Sequence, residues 1–178
     1  MPATKKATSS STESRSSSKT SGSSSSKLDA IKLLTQDHKE VKKLFDDYDK
    51  LVKGDADADE REALAQEICE MLTLHATIEE ELFYPQAREA LGDNEDLIDE
   101  ATVEHASAKE LIAQIEESSP DEELYDAKVK VLSEYIQHHV KEEEGEIFPK
   151  IKKAELDLLA LGEEMAQRKE VLQSSFAR

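Results

Sequence analysis

The sequence predicts an all-α chain: an antiparallel up-down-up-down four-helix bundle, a disordered N-terminal tail before it and a short C-terminal helix after it. Three observations carry this expectation. With five Gly, four Pro and only 4% aromatic residues, the composition is that of a helical rather than a β-rich protein. From Leu28 onward, apolar residues recur at alternating steps of three and four, which is one face of a helix. The stretches between these periodic segments are short, and short connections make neighbouring helices antiparallel.

Taken in order, residues 1–27 contain twelve Ser, no large aliphatic after Met1, and five basic residues against Glu13 alone. They have nothing to bury, so a disordered spacer is expected. The bundle is expected over 28–156 and the C-terminal helix over 157–178. The first helix places Ile31, Leu34, His38, Val41, Phe45 and Tyr48 on one face and stops at Gly54. The second runs from about Asp59 to Leu91, with Leu64, Ile68, Met71, His75, Glu79 and Leu82 inward. Gly92 ends it, and Asp93–Asn94 offers the next N-cap. The third carries Leu97, Ala101, His105, Ala108, Ile112 and Ile115 on one stripe. Ser119-Pro120-Asp121-Glu122 reads as a helix start, with Ser as N-cap and Pro in the first turn. The fourth helix then carries Ala127 or Val131, followed by Leu132, Ile136, His139, Glu143 and Ile147. A fifth, near Leu158–Gln173, has a thinner apolar face.

Two segments repeat one another at an offset of 64 residues: HATIEEELFYP, with His75, Glu79 and Pro85, and HVKEEEGEIFP, with His139, Glu143 and Pro149. Each is preceded by a lone His, His38 and His105 respectively. Both prolines fall inside helical patterns, where loss of a hydrogen bond costs about 3 kcal/mol, so each is expected to kink or locally break its helix. His and Glu four residues apart lie on one helix face and reach a common centre. A lone inward His is ordinarily a hydrogen-bonded core residue, and a Glu on an acidic helix is ordinarily solvated. Here all four helices place a His on the inward stripe and two add a Glu. Two buried carboxylates would repel or take up protons unless something positive compensates them, and these stripes hold no Lys or Arg. Four imidazoles and two carboxylates suit a pair of transition-metal ions, with iron the best match. His138 and Glu142 share the four-residue spacing, but His138 is rotated by about 100° off the apolar stripe and is expected at the surface.

This order of lone His, His-x-x-x-Glu, lone His, His-x-x-x-Glu, each pair followed by Phe/Tyr-Pro, resembles the hemerythrin-like HHE cation-binding domains over about Leu28–Lys153. The resemblance implies a four-helix bundle holding a non-haem di-iron centre. Glu79 and Glu143 would bridge the ions, with His38, His75, His105 and His139 as terminal ligands. The oxygen-carrying hemerythrins have a further His where this chain has Lys109, and a wider, Asp-terminated last pair. Four imidazoles rather than five leave more open coordination. The function implied is a di-iron protein that binds or senses O₂ or a related small oxidant. The alternatives are a di-iron enzyme acting on peroxide or nitric oxide, or an iron-storage or regulatory module. Tyr48, Tyr84 and Tyr135 are candidate hydrogen-bond donors beside the centre.

Composition narrows the remaining classes. A net charge of −18 opposes binding to nucleic acid. No apolar run approaches the ~20 residues of a membrane span. Cys69 is the sole cysteine, which fits a reducing cytoplasm, and no secretory h-region is present. Asp55-Ala-Asp57-Ala-Asp59 resembles the start of a calcium loop, but Glu60 stands where Gly is required, so it reads as a loop and cap.

Overall fold

Asp29 caps helix α1, Ala30–Lys53, its carboxylate accepting from the Lys32 N–H at 2.9 Å. The structure, a computed structural model, describes residues 1, 28–92 and 95–176. The tail expected over 1–27, apart from Met1, and the Asp93–Asn94 cap lie outside the described residues. Helix α2, Ala58–Ile78, is capped by Asp57, which accepts from the Glu60 N–H at 2.9 Å. A π-helical turn, π1, occupies Glu79–Phe83 and leads into α3, Tyr84–Leu91. Helix α4 spans Asp96–Glu116 and α5 spans Tyr125–Glu142. A second π turn, π2, covers Glu143–Ile147, followed by the short α6, Phe148–Ile151, and by α7, Leu158–Phe176. No strand occurs among the described residues.

The long helices close a ring: α1 packs on α2, α2 on α4, α4 on α5 and α5 on α1. Their apolar faces form two clusters. One gathers the start of α1, the end of α2 with π1 and α3, the start of α4, π2 with α6, and α7. The other gathers Val41, Phe45, Tyr48, Ile68, Leu72, Ile112, Leu132 and Ile136 from the opposite halves of the four helices.

The prolines are accommodated by π turns rather than by simple kinks. The Tyr84 N–H bonds the carbonyl of Glu79 and the Phe148 N–H bonds that of Glu143, each five residues back. Pro85 and Pro149 then stand in the first turn of a new helix, where a missing N–H costs nothing. Each π turn inserts one residue into the helical register. In the first repeat this moves the fully buried position from Leu82 to Phe83, which is 0% exposed.

Three further sequence expectations shift. Ile98 rather than Leu97 is buried at the start of α4, and Val129 rather than Ala127 or Val131 on α5. At Ser119 the reciprocal contact forms, the Ser119 N–H donating to Glu122 Oε1 at 3.0 Å, yet regular helix begins only at Tyr125. Arg61 takes the Pro120 carbonyl at 3.2 Å, holding that segment as turns.

Helix α7 packs on α1, α2 and π1 and runs three residues beyond the expected Gln173. Leu161 and Met165 enter the core, and Arg168 forks onto Glu81 at 2.6 and 2.9 Å. Gly162 lets the two backbones meet. A Cβ there would stand 2.4 Å from the Leu28 carbonyl oxygen and 2.6 Å from the Ala30 nitrogen. Gly162→Ala is therefore expected to destabilise the fold by about 1–3 kcal/mol through overpacking, read as a lower denaturation midpoint in urea. An unchanged midpoint would mean that α7 does not hold this close contact.

Candidate metal centre

His38, His75, Glu79, His105, His139 and Glu143 converge in one buried layer between the two apolar clusters. Every one is at most 7% exposed, and both glutamates are at 0%. The layer arises because α1, α2, α4 and α5 each contribute one imidazole on the inward stripe. The two glutamates begin the π turns and so point inward one turn beyond His75 and His139.

Each imidazole is held from outside by a carboxylate on Nδ1. His38 is paired with Glu144 at 2.9 Å, His75 with Asp37 at 3.4 Å, His105 with Glu80 at 3.0 Å and His139 with Glu104 at 2.8 Å. An Nδ1–H donated to a carboxylate leaves the Nε2 lone pair facing inward and makes it more basic. Two of these carboxylates are themselves paired with lysines, Asp37 with Lys169 of α7 and Glu80 with Lys109 of α4.

Inside the layer the acceptors face one another. Glu79 Oε2 lies 3.2 Å from His75 Nε2 and 3.3 Å from His105 Nε2. Glu143 Oε2 lies 3.3 Å from His38 Nε2 and 3.6 Å from His139 Nε2. The Nε2 atoms of His105 and His139 are 3.1 Å apart. His38 Nε2, His75 Nε2, both Glu79 oxygens and Glu143 Oε2 are buried without a hydrogen-bond partner. Orphaned lone pairs on buried groups are strongly unfavourable unless a cation meets them. Two ligand sets can be drawn: His38, His75, Glu79 and Glu143, and Glu79, His105 and His139, each within 4.8 Å. The donor set fits cations of the imidazole- and carboxylate-binding kind.

Without a cation, the pairing of His75 with Glu79 favours a charged imidazole beside a charged carboxylate. Burial pushes His75 down, but Glu79 and Asp37 on either side outweigh it and raise the imidazole to about 10. Burial pushes Glu79 up, but the charges of His75 and His105 beside it hold it well below the usual carboxylate range.

Of the three tyrosines considered, Tyr84 alone touches the centre. Its hydroxyl donates to Glu143 Oε1 at 3.0 Å and lies 3.1 Å from His105 Nε2. Burial, then the Glu79 and Glu143 charges, push this phenol well above its ordinary value. At the matching position of the other repeat, Phe148 stacks on His38 at 5.8 Å. Tyr48 instead donates to Asp126 in the far cluster, and Tyr135 is half exposed. His138 has 62% of its side chain exposed. Cys69 lies in the far cluster, its thiol pushed up to about 12 chiefly by burial.

The outer carboxylates Asp37, Glu80, Glu104 and Glu144 escape a reading confined to inward stripes. The signal was present nonetheless: an acid precedes each lone His, and an acid follows each inward Glu, in both repeats.

A ring of helices closing on a buried layer of four imidazoles and two carboxylates defines a cation-binding helical domain. The chain belongs to the family described as Hemerythrin HHE cation binding domain, which it matches over residues 29–151. A crystal structure of a hemerythrin HHE cation binding domain-containing protein from Mycobacterium kansasii is similar at 27% identity with a TM-score of 0.67. The similarity covers 83% of this chain and 89% of that one. A curated relative named DNA nickase, from Nostoc sp., is 30% identical over 122 residues, covering 67% of this chain. The chain spans 32% of that protein's length. No described helix is long and apolar enough to cross a membrane.

The His75 pairing sets a pH dependence for protein stripped of metal. A group whose pKa is raised on folding stabilises the fold below its unfolded value and loses that contribution as pH rises through the folded one. The thermal midpoint of chelator-treated protein is expected to fall as pH rises from about 7 through about 10. A midpoint that is flat or rising over that range would contradict the pairing.

Proposed function

We propose that this domain holds two iron ions between Glu79 and Glu143 and presents them to O₂ or a related small oxidant such as peroxide or nitric oxide. The observation that carries the proposal is the orphaned inward set, His38 Nε2, His75 Nε2, both Glu79 oxygens and Glu143 Oε2. In this reading His38 and His75 would hold one ion and His105 and His139 the other, with Glu79 and Glu143 as the carboxylate donors. Six protein donors shared by two ions leave open positions. That suits iron, whereas a closed structural zinc site takes four donors. Bound iron would supply those open positions together with a one-electron redox step at each ion.

The chain's own residues shape what reaches that centre. Above the imidazoles lies a cavity of about 20 Å³, walled by Val41, Leu72, Ala108, Ile112 and Ile136. A volume of about 10–15 Å³ on this measure admits one water, so the space suits a diatomic or triatomic molecule. Its apolar walls favour a weakly polar guest over water. The four outer carboxylates fix the imidazole orientation, and the two lysines temper the negative charge behind His75 and His105.

An enzymatic reading, turnover of peroxide or nitric oxide, draws on Tyr84. Its buried hydroxyl touches both Glu143 and His105 and can lend a proton to a neighbouring acceptor. The up-down-up-down helix order is supported by the shared cluster that joins the starts of α1 and α4 to the end of α2 and to the π2 turn and α6 that follow α5. The chain's −18 charge supports the absence of nucleic-acid contact, and a single buried thiol fits a reducing cytoplasm.

Elemental analysis of protein expressed with ample iron is expected to find close to two irons per chain. His139→Ala should remove at least half of that iron, whereas His138→Ala should leave it nearly intact. Stoichiometric zinc without iron would overturn the di-iron assignment, and loss of iron from the His138 variant would overturn the ligand set.

A further inference from the structure

His138 and Glu142 repeat the spacing of His139 and Glu143 one residue out of phase, and nothing in the centre uses them. In the fold they meet Glu104 of α4. His138 Nε2 lies 3.4 Å from Glu104 Oε1 and 3.2 Å from Glu142 Oε1, and one donor from each of the three falls within 4.8 Å of the others. Two donors each about 2.1 Å from one ion are about 3.0 Å apart at a right angle and about 3.4 Å apart at the tetrahedral angle. The observed separations fall at that spacing.

A second feature points the same way. Between α4 and α5 runs a pocket of about 50 Å³ lined by Glu100, Glu104, Glu142, Glu143, Glu146 and His139, with no Lys or Arg among its lining residues. At its inner end stands Glu143, fully buried, with Oε2 unpartnered. Glu104 and Glu142, each partly exposed, line its wall. Glu104 joins the two levels, since its other oxygen accepts from His139 Nδ1 at 2.8 Å. A single acidic path thus connects the exposed imidazole of His138 to the buried centre. Clefts lined by one sign of charge concentrate counter-ions.

We propose that Glu104, His138 and Glu142 form an outer divalent-cation site beside this pocket, sharing two of its wall residues, and that cations reach the buried centre through it. The site offers one imidazole and two carboxylates, with the remaining positions left to water. It therefore binds more weakly than the centre and is emptied by gel filtration. Glu104 has two jobs, ligand to the outer cation and orienting partner of His139. The cation site stands on its own geometry, whereas its loading role rests on the proposed iron centre.

The experiment has two arms, each with the full chain and with a His138→Ala/Glu142→Gln double variant. His138 is exposed, so folding is not at stake. In the first arm, iron-loaded protein is titrated with Zn²⁺ by calorimetry. Wild type is expected to show one additional site that the double variant lacks. In the second, Fe²⁺ uptake by chelator-treated protein is followed in time. The variant is expected to fill to the same final iron content, but on the order of tenfold more slowly, the lower end of what a cleft lined by one sign of charge adds to an on-rate. Absence of the extra Zn²⁺ site in wild type, or its persistence in the variant, would overturn the outer site. Equal uptake rates would overturn the loading role. Lower final iron in the variant would show that these residues belong to the centre itself. A wild-type protein that takes up no iron pair would defeat the proposed function. The titration, run then on the metal-free chain, would still decide the outer site.

Discussion

Two fully buried carboxylates, Glu79 and Glu143, are the constraint around which this molecule is arranged. Moving one ionised carboxylate out of water costs several kcal/mol even after relaxation, and here two share one layer. The bundle answers with four imidazoles at 3.2–3.6 Å and places no Lys or Arg among them. Neutral imidazoles alone cannot neutralise two anions. The layer therefore requires either protons, as at His75 in the metal-free state, or cations. Because each Nδ1 is committed to an outer carboxylate, the inward lone pairs are preset for a cation. Both requirements converge on the same atoms, so protons and metal compete there, and metal uptake is coupled to proton release.

The π turns are the backbone half of this design. A continuous α-helix through Glu79 would turn Leu82 inward, and Pro85 would then lie in the helix interior. Inserting one residue satisfies the proline, keeps Glu79 facing the layer and brings Phe83 and Tyr84 beneath it. The repeat at Glu143 does the same with Ile147 and Phe148. The two halves differ at one atom that matters: Tyr84 has a hydroxyl where Phe148 has none. That hydroxyl reaches across to Glu143, so the pseudo-symmetric centre has a protic side near His105 and an aromatic side near His38.

The all-helical class and the six inward residues were legible because a repeated periodic pattern leaves few ways to place them. What escaped was set by partners distant in sequence or by backbone detail. Asp37, Glu80, Glu104 and Glu144 sit among 41 acidic residues, and only the fold distinguishes those that meet an imidazole from those that meet water. Lys169 reaches Asp37 across 132 positions of sequence, a contact that no local pattern announces. Proline inside a helical pattern signals a kink or a local break but not its form, and here the form is a π turn. Ser119-Pro120 carried the chemistry of a helix start, yet Arg61 from another helix captured the carbonyl that the first turn would use.

The most direct test of a cation pair in this layer is anomalous X-ray diffraction at the iron edge from crystals of iron-loaded protein. Two peaks are expected about 3.5–4 Å apart. One should lie within bonding distance of His38 Nε2 and His75 Nε2, the other within bonding distance of His105 Nε2 and His139 Nε2, with Glu79 and Glu143 between them. A single peak, or none inside the layer, would contradict a paired metal centre.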